Sequence, residues 1–148
     1  MIFQRLLLGN NYIDSIADDT FILDKSGGCC ILLRELDLSS NNLVELSEAA
    51  FSGLQRLEAL DLSSNRFRKI PSAALKQLKQ LGILDFSDNT EMQVLSSSAF
   101  SGNKNLKELK LRGCRLRTID NNAFVSLGKN LRNRLCILPW PINYIICL

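Results

Sequence analysis

Along residues 33–46, LRELDLSSNNLVEL, leucine stands at 33, 36, 38, 43 and 46. Neither the period of two that marks a strand nor the 3.6 that marks a helix survives for long. Leu36 and Leu38 alternate with polar Glu35, Asp37 and Ser39, which predicts a short strand with its leucines on one side. The wider steps that follow predict a turn, after which Leu43 and Leu46 return to the same interior from another direction. The pattern then recurs. LDLSSNNL at Leu36 returns as LDLSSNRF at Leu60, as LDFSDN at Leu84 and, degenerately, as LKLRGCRL at Leu109, with starts 24, 24 and 25 residues apart; an earlier copy, LLLGNNYI, begins at Leu6. Each later copy is followed by Ala and an apolar residue: Phe51, Leu75, Phe100 and Phe124.

One such unit cannot bury its own apolar face. Stacked units bury a continuous core and pair their strands into one parallel sheet. The uneven spacing is therefore one circuit of a coil. A polar residue sits inside each circuit at a fixed offset: Asn11, Asn41, Asn65, Asn89 and, in the fourth clear copy, Cys114. Each turn carries backbone N–H and C=O groups into the interior, and these need partners. An amide both donates and accepts, so this column is expected to form a structural Asn/Cys ladder. A buried Cys114 is expected to be inert there.

The series Leu33, Leu36, Leu38, Asn41, Leu43 and its copies resemble the leucine-rich repeat pattern L-x-x-L-x-L-x-x-N/C-x-L. The period near 24 and the Ala-Phe element are similar to the subclass found in animal receptor ectodomains of the Toll-like or chaoptin-like kind. The resemblance implies an α/β solenoid, a horseshoe segment with a short parallel sheet on the concave face and an irregular or short-helical convex side. It implies about five repeats within 1–131 (3–32, 33–56, 57–80, 81–105 and 106–130), followed by an apolar, irregular tail over 132–148.

Composition narrows the function more than the fold. The 148-residue chain carries a net charge of +3, which alone does not call for nucleic acid. It has no His, and no catalytic triad, phosphate loop or metal-ligand spacing, so no enzyme, cofactor or metal site is expected. The five Cys form no CxxC pair, and no Asn-x-Ser/Thr sequon occurs. The apolar stretch near the N-terminus is broken by Arg5, and the tail LCILPWPINYIICL is 14 residues with two Pro; neither has the length of an export signal or a membrane span.

Three places depart from the period. Phe3 to Leu33 is about six residues too long, the excess lying near LDKSGGCC, where Gly27, Gly28, Cys29 and Cys30 predict a loop. The third clear repeat carries one additional residue before Met92, and Asn103 replaces a core Leu, which predicts a small bulge with weakened convex-side packing. After Leu131, Arg134 falls where a core Leu belongs; a one-residue shift restores Leu135 and Ile137 but misplaces the Asn. This end is expected to fold over the last core face, to dock a partner, or to mark a truncated end.

The outward positions of the strands define the candidate ligand surface. The central column is Leu7, Asp37, Asp61, Asp85, Lys110, and the column two residues on is Gly9, Ser39, Ser63, Ser87, Arg112. Asp37, Asp61, Asp85, Lys110 and Arg112 are the candidate binding residues, although LDLS is also the common filling of this repeat and keeps a sheet soluble. Lys104, Lys107, Lys110, Arg112, Arg115 and Arg117 crowd the fourth repeat. That cluster suits an anionic ligand, but the aromatic interleaving that nucleic-acid binding uses is missing. The expectation is a non-catalytic protein–protein interaction module with a protein ligand or co-receptor, part of a receptor or adhesion ectodomain. An extracellular or cell-surface setting requires a signal and an anchor supplied elsewhere in the full protein. The alternative is a cytoplasmic leucine-rich repeat scaffold or adaptor.

Overall fold

A computed structural model describes residues 4–18, 20–22 and 32–127, together with the backbone of 135–136. The outward residues of each short strand leave the leucine between them inside, and this repeats from coil to coil. Strands β1 (Arg5–Leu7), β2 (Glu35–Asp37), β3 (Ala59–Asp61), β4 (Ile83–Asp85) and β6 (Glu108–Lys110) lie side by side in parallel. A sixth strand, β8 (Leu135–Cys136), pairs with β6 and completes the sheet order β1-β2-β3-β4-β6-β8. Leu6, Leu36, Leu60, Leu84, Leu109 and Leu135 occupy one register line. The solenoid that the resemblance to leucine-rich repeats implies is the fold observed.

The opposite wall is mostly turns. It includes one helical turn, α1 (Ser72–Leu75), entered through Pro71, and a second parallel pair, β5 (Val94–Leu95) with β7 (Thr118–Ile119). Proline suits a helix entry because its φ is held near the helical value and its missing N–H has no helical partner to lose. The interior is one apolar stack. Leu33, Leu57, Leu81 and Leu106 enter it before the strands, and Phe51, Leu75 and Phe100 close it from the far wall. The Phe67 and Phe86 rings lie 5.1 Å apart between centroids, and Phe21 meets Phe51 at 6.4 Å. Phe21 thus continues the convex column into the first coil, one step before Phe51.

The bulge expected in the third clear repeat is absorbed without opening the core. Met92 and Leu95 are fully buried, and Asn103 is buried in the leucine column. Its amide Nδ2 donates to the Leu75 carbonyl at 2.8 Å, so it is satisfied on that side, while Oδ1 has no partner. The expected loop with Cys29 and Cys30 lies outside the described residues, as do the side chains of the tail. Among the described residues no helix is long and apolar enough to cross a membrane.

Each coil also turns at the same backbone position. Asn10, Ser40, Ser64 and Asp88 have φ between 52° and 58°, and Gly113 takes the equivalent place at 73°. This left-handed residue bends the chain inward immediately before the ladder position. Asn, Asp and Gly tolerate it best, and Ser is held there by the bonds around it: the Ser40 and Ser64 N–H groups each donate to a carbonyl of the next coil, at 2.9 and 2.8 Å.

Candidate functional site

The turn residues come first, because they decide which polar groups are free to meet a ligand. Asn41, Asn65 and Asn89 are buried. The Asn65 Nδ2 donates to the Leu38, Leu62 and Ser63 carbonyls at 2.9, 3.1 and 3.2 Å, and its Oδ1 accepts the Leu43 N–H at 3.0 Å. Asn41 and Asn89 repeat the arrangement with Ile13 and Phe67 as N–H donors. Asn11 is exposed and, among the described residues, bonds the Leu8 and Gly9 carbonyls. Cys114 replaces the amide with a thiol that donates to the Phe86 carbonyl at 3.3 Å, and burial pushes the pKa of this thiol up to about 12. The buried members of the column, Asn41, Asn65, Asn89 and Cys114, are turned into the core and away from the surface.

The strand register lines up the outward residues. Leu7, Asp37, Asp61, Asp85 and Lys110 are direct neighbours across β1, β2, β3, β4 and β6. All three Asp are half-buried and all three do a local job. The Asp37, Asp61 and Asp85 Oδ1 atoms accept the N–H of the Ser two residues on, at 2.8, 2.9 and 3.0 Å. Sequence reasoning took these carboxylates as ligand groups or solubilising filler and missed their role as turn caps. The signal was present in the Asp-x-Ser spacing, which is how Asp side chains close short turns on their own backbone.

Capping uses one oxygen and leaves the charge. Among the described residues neither Asp37 nor Asp61 has a basic partner, whereas Asp85 faces Lys110 Nζ at 3.2 Å, with Glu108 at 3.6 Å. The hydrogen bond to Asp85 is the main reason the Lys110 ammonium sits above the usual lysine range; partial burial opposes it and Glu108 adds to it. Arg112, two residues on, is exposed. The face therefore runs from an uncompensated acidic end at Asp37 and Asp61, through a neutralised Asp85–Lys110 pair, to a cationic end at Arg112. Asp37 and Arg112 are separated by three strand spacings, about 14 Å. Small neighbours keep the floor open: a Cβ at Gly9 would stand 2.9 Å from the Ser39 hydroxyl and 3.0 Å from the Asp37 carboxylate.

Among the described residues, no three His, Cys, Asp or Glu side chains converge to hold a metal ion. The surface offers charge and shape to a partner on a repeated rigid frame. A solenoid with these features is an interaction module.

The comparisons place it more closely. Leucine-rich repeat family models match residues 31–90 and 105–127, between them more than half of the chain. The chain belongs to the leucine-rich repeat family. Among solved structures it is similar to a chain of the Toll–Spatzle complex from Drosophila, at 30% identity and a TM-score of 0.71, covering 92% of this chain and 16% of that one. It is also similar to a chain of the TLR13–ssRNA13 complex, at 26% identity and a TM-score of 0.64, covering 92% of this chain and 21% of that one. The chain thus spans about a fifth or less of the length of these relatives. No curated protein matches it by sequence.

Proposed function

We propose that this chain is a non-catalytic, ligand-recognising segment of a receptor or cell-adhesion ectodomain, and that it binds a protein across the concave sheet. The observation that carries this is the charge order fixed by strand register: acidic at Asp37 and Asp61, neutralised at Asp85–Lys110, cationic at Arg112. A protein ligand or co-receptor that presents basic groups over the first two strands and an acidic group over the fourth repeat complements it. Such complementarity steers encounter and fixes register. The similarity to Toll in complex with Spatzle supports a protein ligand.

The test is site-directed crosslinking in the native tissue. A photo-reactive residue replaces Ser63 on the sheet or the exposed Ala73 on the convex wall, and crosslinked proteins are identified and remade. A partner captured from Ser63 and not from Ala73 is expected to bind about tenfold more weakly to the Asp37→Lys, Asp61→Lys chain. Equal capture from both walls, or binding indifferent to the charge reversal, refutes the concave-face reading. Protease added to sealed membrane vesicles with the cytosolic side outward separates the ectodomain from an intracellular scaffold: a chain that is digested without detergent faces the cytosol and is not an ectodomain.

A further inference from the structure

The third clear repeat holds one more residue than the second, and the addition falls between its ladder residue Asn89 and core Met92. Asn65 to Phe67 and Cys114 to Leu116 are each two steps; Asn89 to Met92 is three. The core column stays in place, since Phe67, Met92 and Leu116 are all buried. The surplus is expelled at the surface as exposed Thr90 and Glu91. The irregularity is confined to the stretch between Asn89 and Met92, since Val94–Leu95 already pairs in register with Thr118–Ile119 of the next coil, and beside it lies a cleft of about 510 Å³. Arg68 lines it from the coil before, Thr90, Glu91 and Gln93 from the irregular coil, and Arg115 and Arg117 from the coil after.

Its chemistry is that of an anion receptor. Arg68 Nε holds Glu91 at 2.9 Å, so the single carboxylate in the lining is already engaged. Among the described residues Arg115 and Arg117 form no ion pair, and both are exposed. The backbone that carries Arg117 is tied to the irregular coil, because the N–H groups of Arg117 and Thr118 both donate to the Gln93 carbonyl, at 2.8 and 3.1 Å. Guanidinium groups match sulfate and carboxylate oxygens in paired, planar fashion. The Thr90 hydroxyl and Gln93 amide add donors and acceptors suited to hydroxyls. Arg68 lies two coils from Arg115 and Arg117, about 10 Å, so the cations are spread along the stacking direction and fit a linear polyanion better than a single small ion. Val94 is the one apolar residue of the lining and no aromatic is present, which removes the stacking platform a single-stranded nucleic acid uses.

We propose that this flank cleft binds a sulfated polysaccharide, independently of the protein ligand on the concave face. The probe is a heparin-derived hexasaccharide, titrated calorimetrically into the full chain. Its desulfated counterpart, a poly-glutamate peptide and a single-stranded RNA of similar charge are run beside it. The sulfated hexasaccharide is expected to bind, with affinity that falls steeply with salt, and the desulfated one to fail. Replacing Arg115→Ala and Arg117→Ala together is expected to weaken binding by about tenfold or more. Glu91→Gln removes the only negative charge of the lining and is expected to tighten binding a few-fold. Read in a variant whose circular dichroism and unfolding midpoint match those of the parent chain, that gain decides the matter even if the double variant is unstable. Absence of binding, affinity unchanged in the folded double variant, no gain in Glu91→Gln, or equal binding of poly-glutamate or RNA would each overturn the proposal.

Discussion

Replacing Asn65 tests the ladder where it is most fully made. The variant Asn65→Ala removes one acceptor and one amide donor group from the interior. The three carbonyls the amide served are not orphaned. Leu38 C=O keeps the Asn41 Nδ2 at 3.0 Å, Leu62 C=O keeps the Asn89 Nδ2 at 3.0 Å, and Ser63 C=O keeps the Ser40 N–H at 2.9 Å. The Leu43 N–H, bonded only through Asn65 Oδ1, loses its partner in a fully buried place. One orphaned buried donor costs about 1–3 kcal/mol, and the weakened carbonyls with a small void push the sum to the upper half, about 2–3 kcal/mol. In urea unfolding followed by circular dichroism, with a slope of roughly 2 kcal/mol per molar, the midpoint should fall by about 1 M. Two companions sharpen the test. Asn11→Ala, at the exposed end rung, should change stability by less than about 0.5 kcal/mol. Asn65→Asp keeps the acceptor for Leu43 N–H but aims a buried carboxylate at carbonyl oxygens, so at neutral pH it should be worse than alanine. Burial raises the folded-state pKa of that carboxyl above its unfolded value. Its stability is then highest below the unfolded pKa and is lost as pH rises through the folded one, so the deficit of Asn65→Asp should shrink on acidification. A neutral Asn65→Ala, or an Asn65→Asp more stable than Asn65→Ala at neutral pH, would refute the ladder as drawn.

Leu60→Ala, at a position 1% exposed and flanked in register by Leu36 and Leu84, should cost about 2–5 kcal/mol in the same unfolding assay, whereas Leu7→Ala, 63% exposed, should cost under about 0.5 kcal/mol. Gly53→Ala should be the more damaging of two glycine changes: it combines φ of +92° with a Cβ 2.3 Å from the Phe21 backbone oxygen, while at Gly113 the near atom is an exposed Asp88 carboxylate that can rotate away, leaving the left-handed strain of about 1–2 kcal/mol. The Cys114 thiol should resist iodoacetamide at pH 8 in the folded chain and react after unfolding, read by mass spectrometry of its peptide. Its folded pKa lies above the ordinary value of 9.0, so the neutral thiol favours the folded state and that preference fades as pH climbs from 9.0 toward about 12.

What the sequence disclosed and what it hid differ in physical kind. The coil is dictated by intervals: Leu36, Leu60 and Leu84 must stack if each is to be buried, and the spacing of 24 sets the register by itself. The closing wall was legible for the same reason, from Ala-Phe to Ala-Phe. Phe21 was not, because the longer first repeat moves it off the count, and only its contact with Phe51 shows its place. The strand at Leu135–Cys136 escaped because sheet pairing needs only backbone groups in register, while the side-chain pattern around Arg134 had already slipped by one. The flank cleft is hidden for a further reason. Its lining comes from three coils, and Arg68 and Arg117, 49 positions apart in the chain, meet one opening only once the coils are stacked.

The fourth repeat shows why charge reversal and turn chemistry change together. In the second and third clear coils the sequence Asp-x-Ser caps the strand, Ser64 or Asp88 takes the left-handed residue and Asn closes the ladder. At the fourth, Lys110 stands in place of the capping Asp, Arg112 in place of the capped Ser, Gly113 at the left-handed position and Cys114 at the ladder. A lysine cannot cap an N–H, so the carboxylate that shaped the turn is lost when the surface becomes cationic. Glycine offsets that loss, since it enters the left-handed region without help from a side chain. The small thiol then needs only the Phe86 carbonyl as a partner. The departures at Gly113 and Cys114 are thus the structural accommodation of Lys110 and Arg112. Making Lys110→Asp and Arg112→Ser together should leave the fold intact while abolishing the cationic end of the concave face, so loss of ligand binding in that variant reports on charge and not on stability.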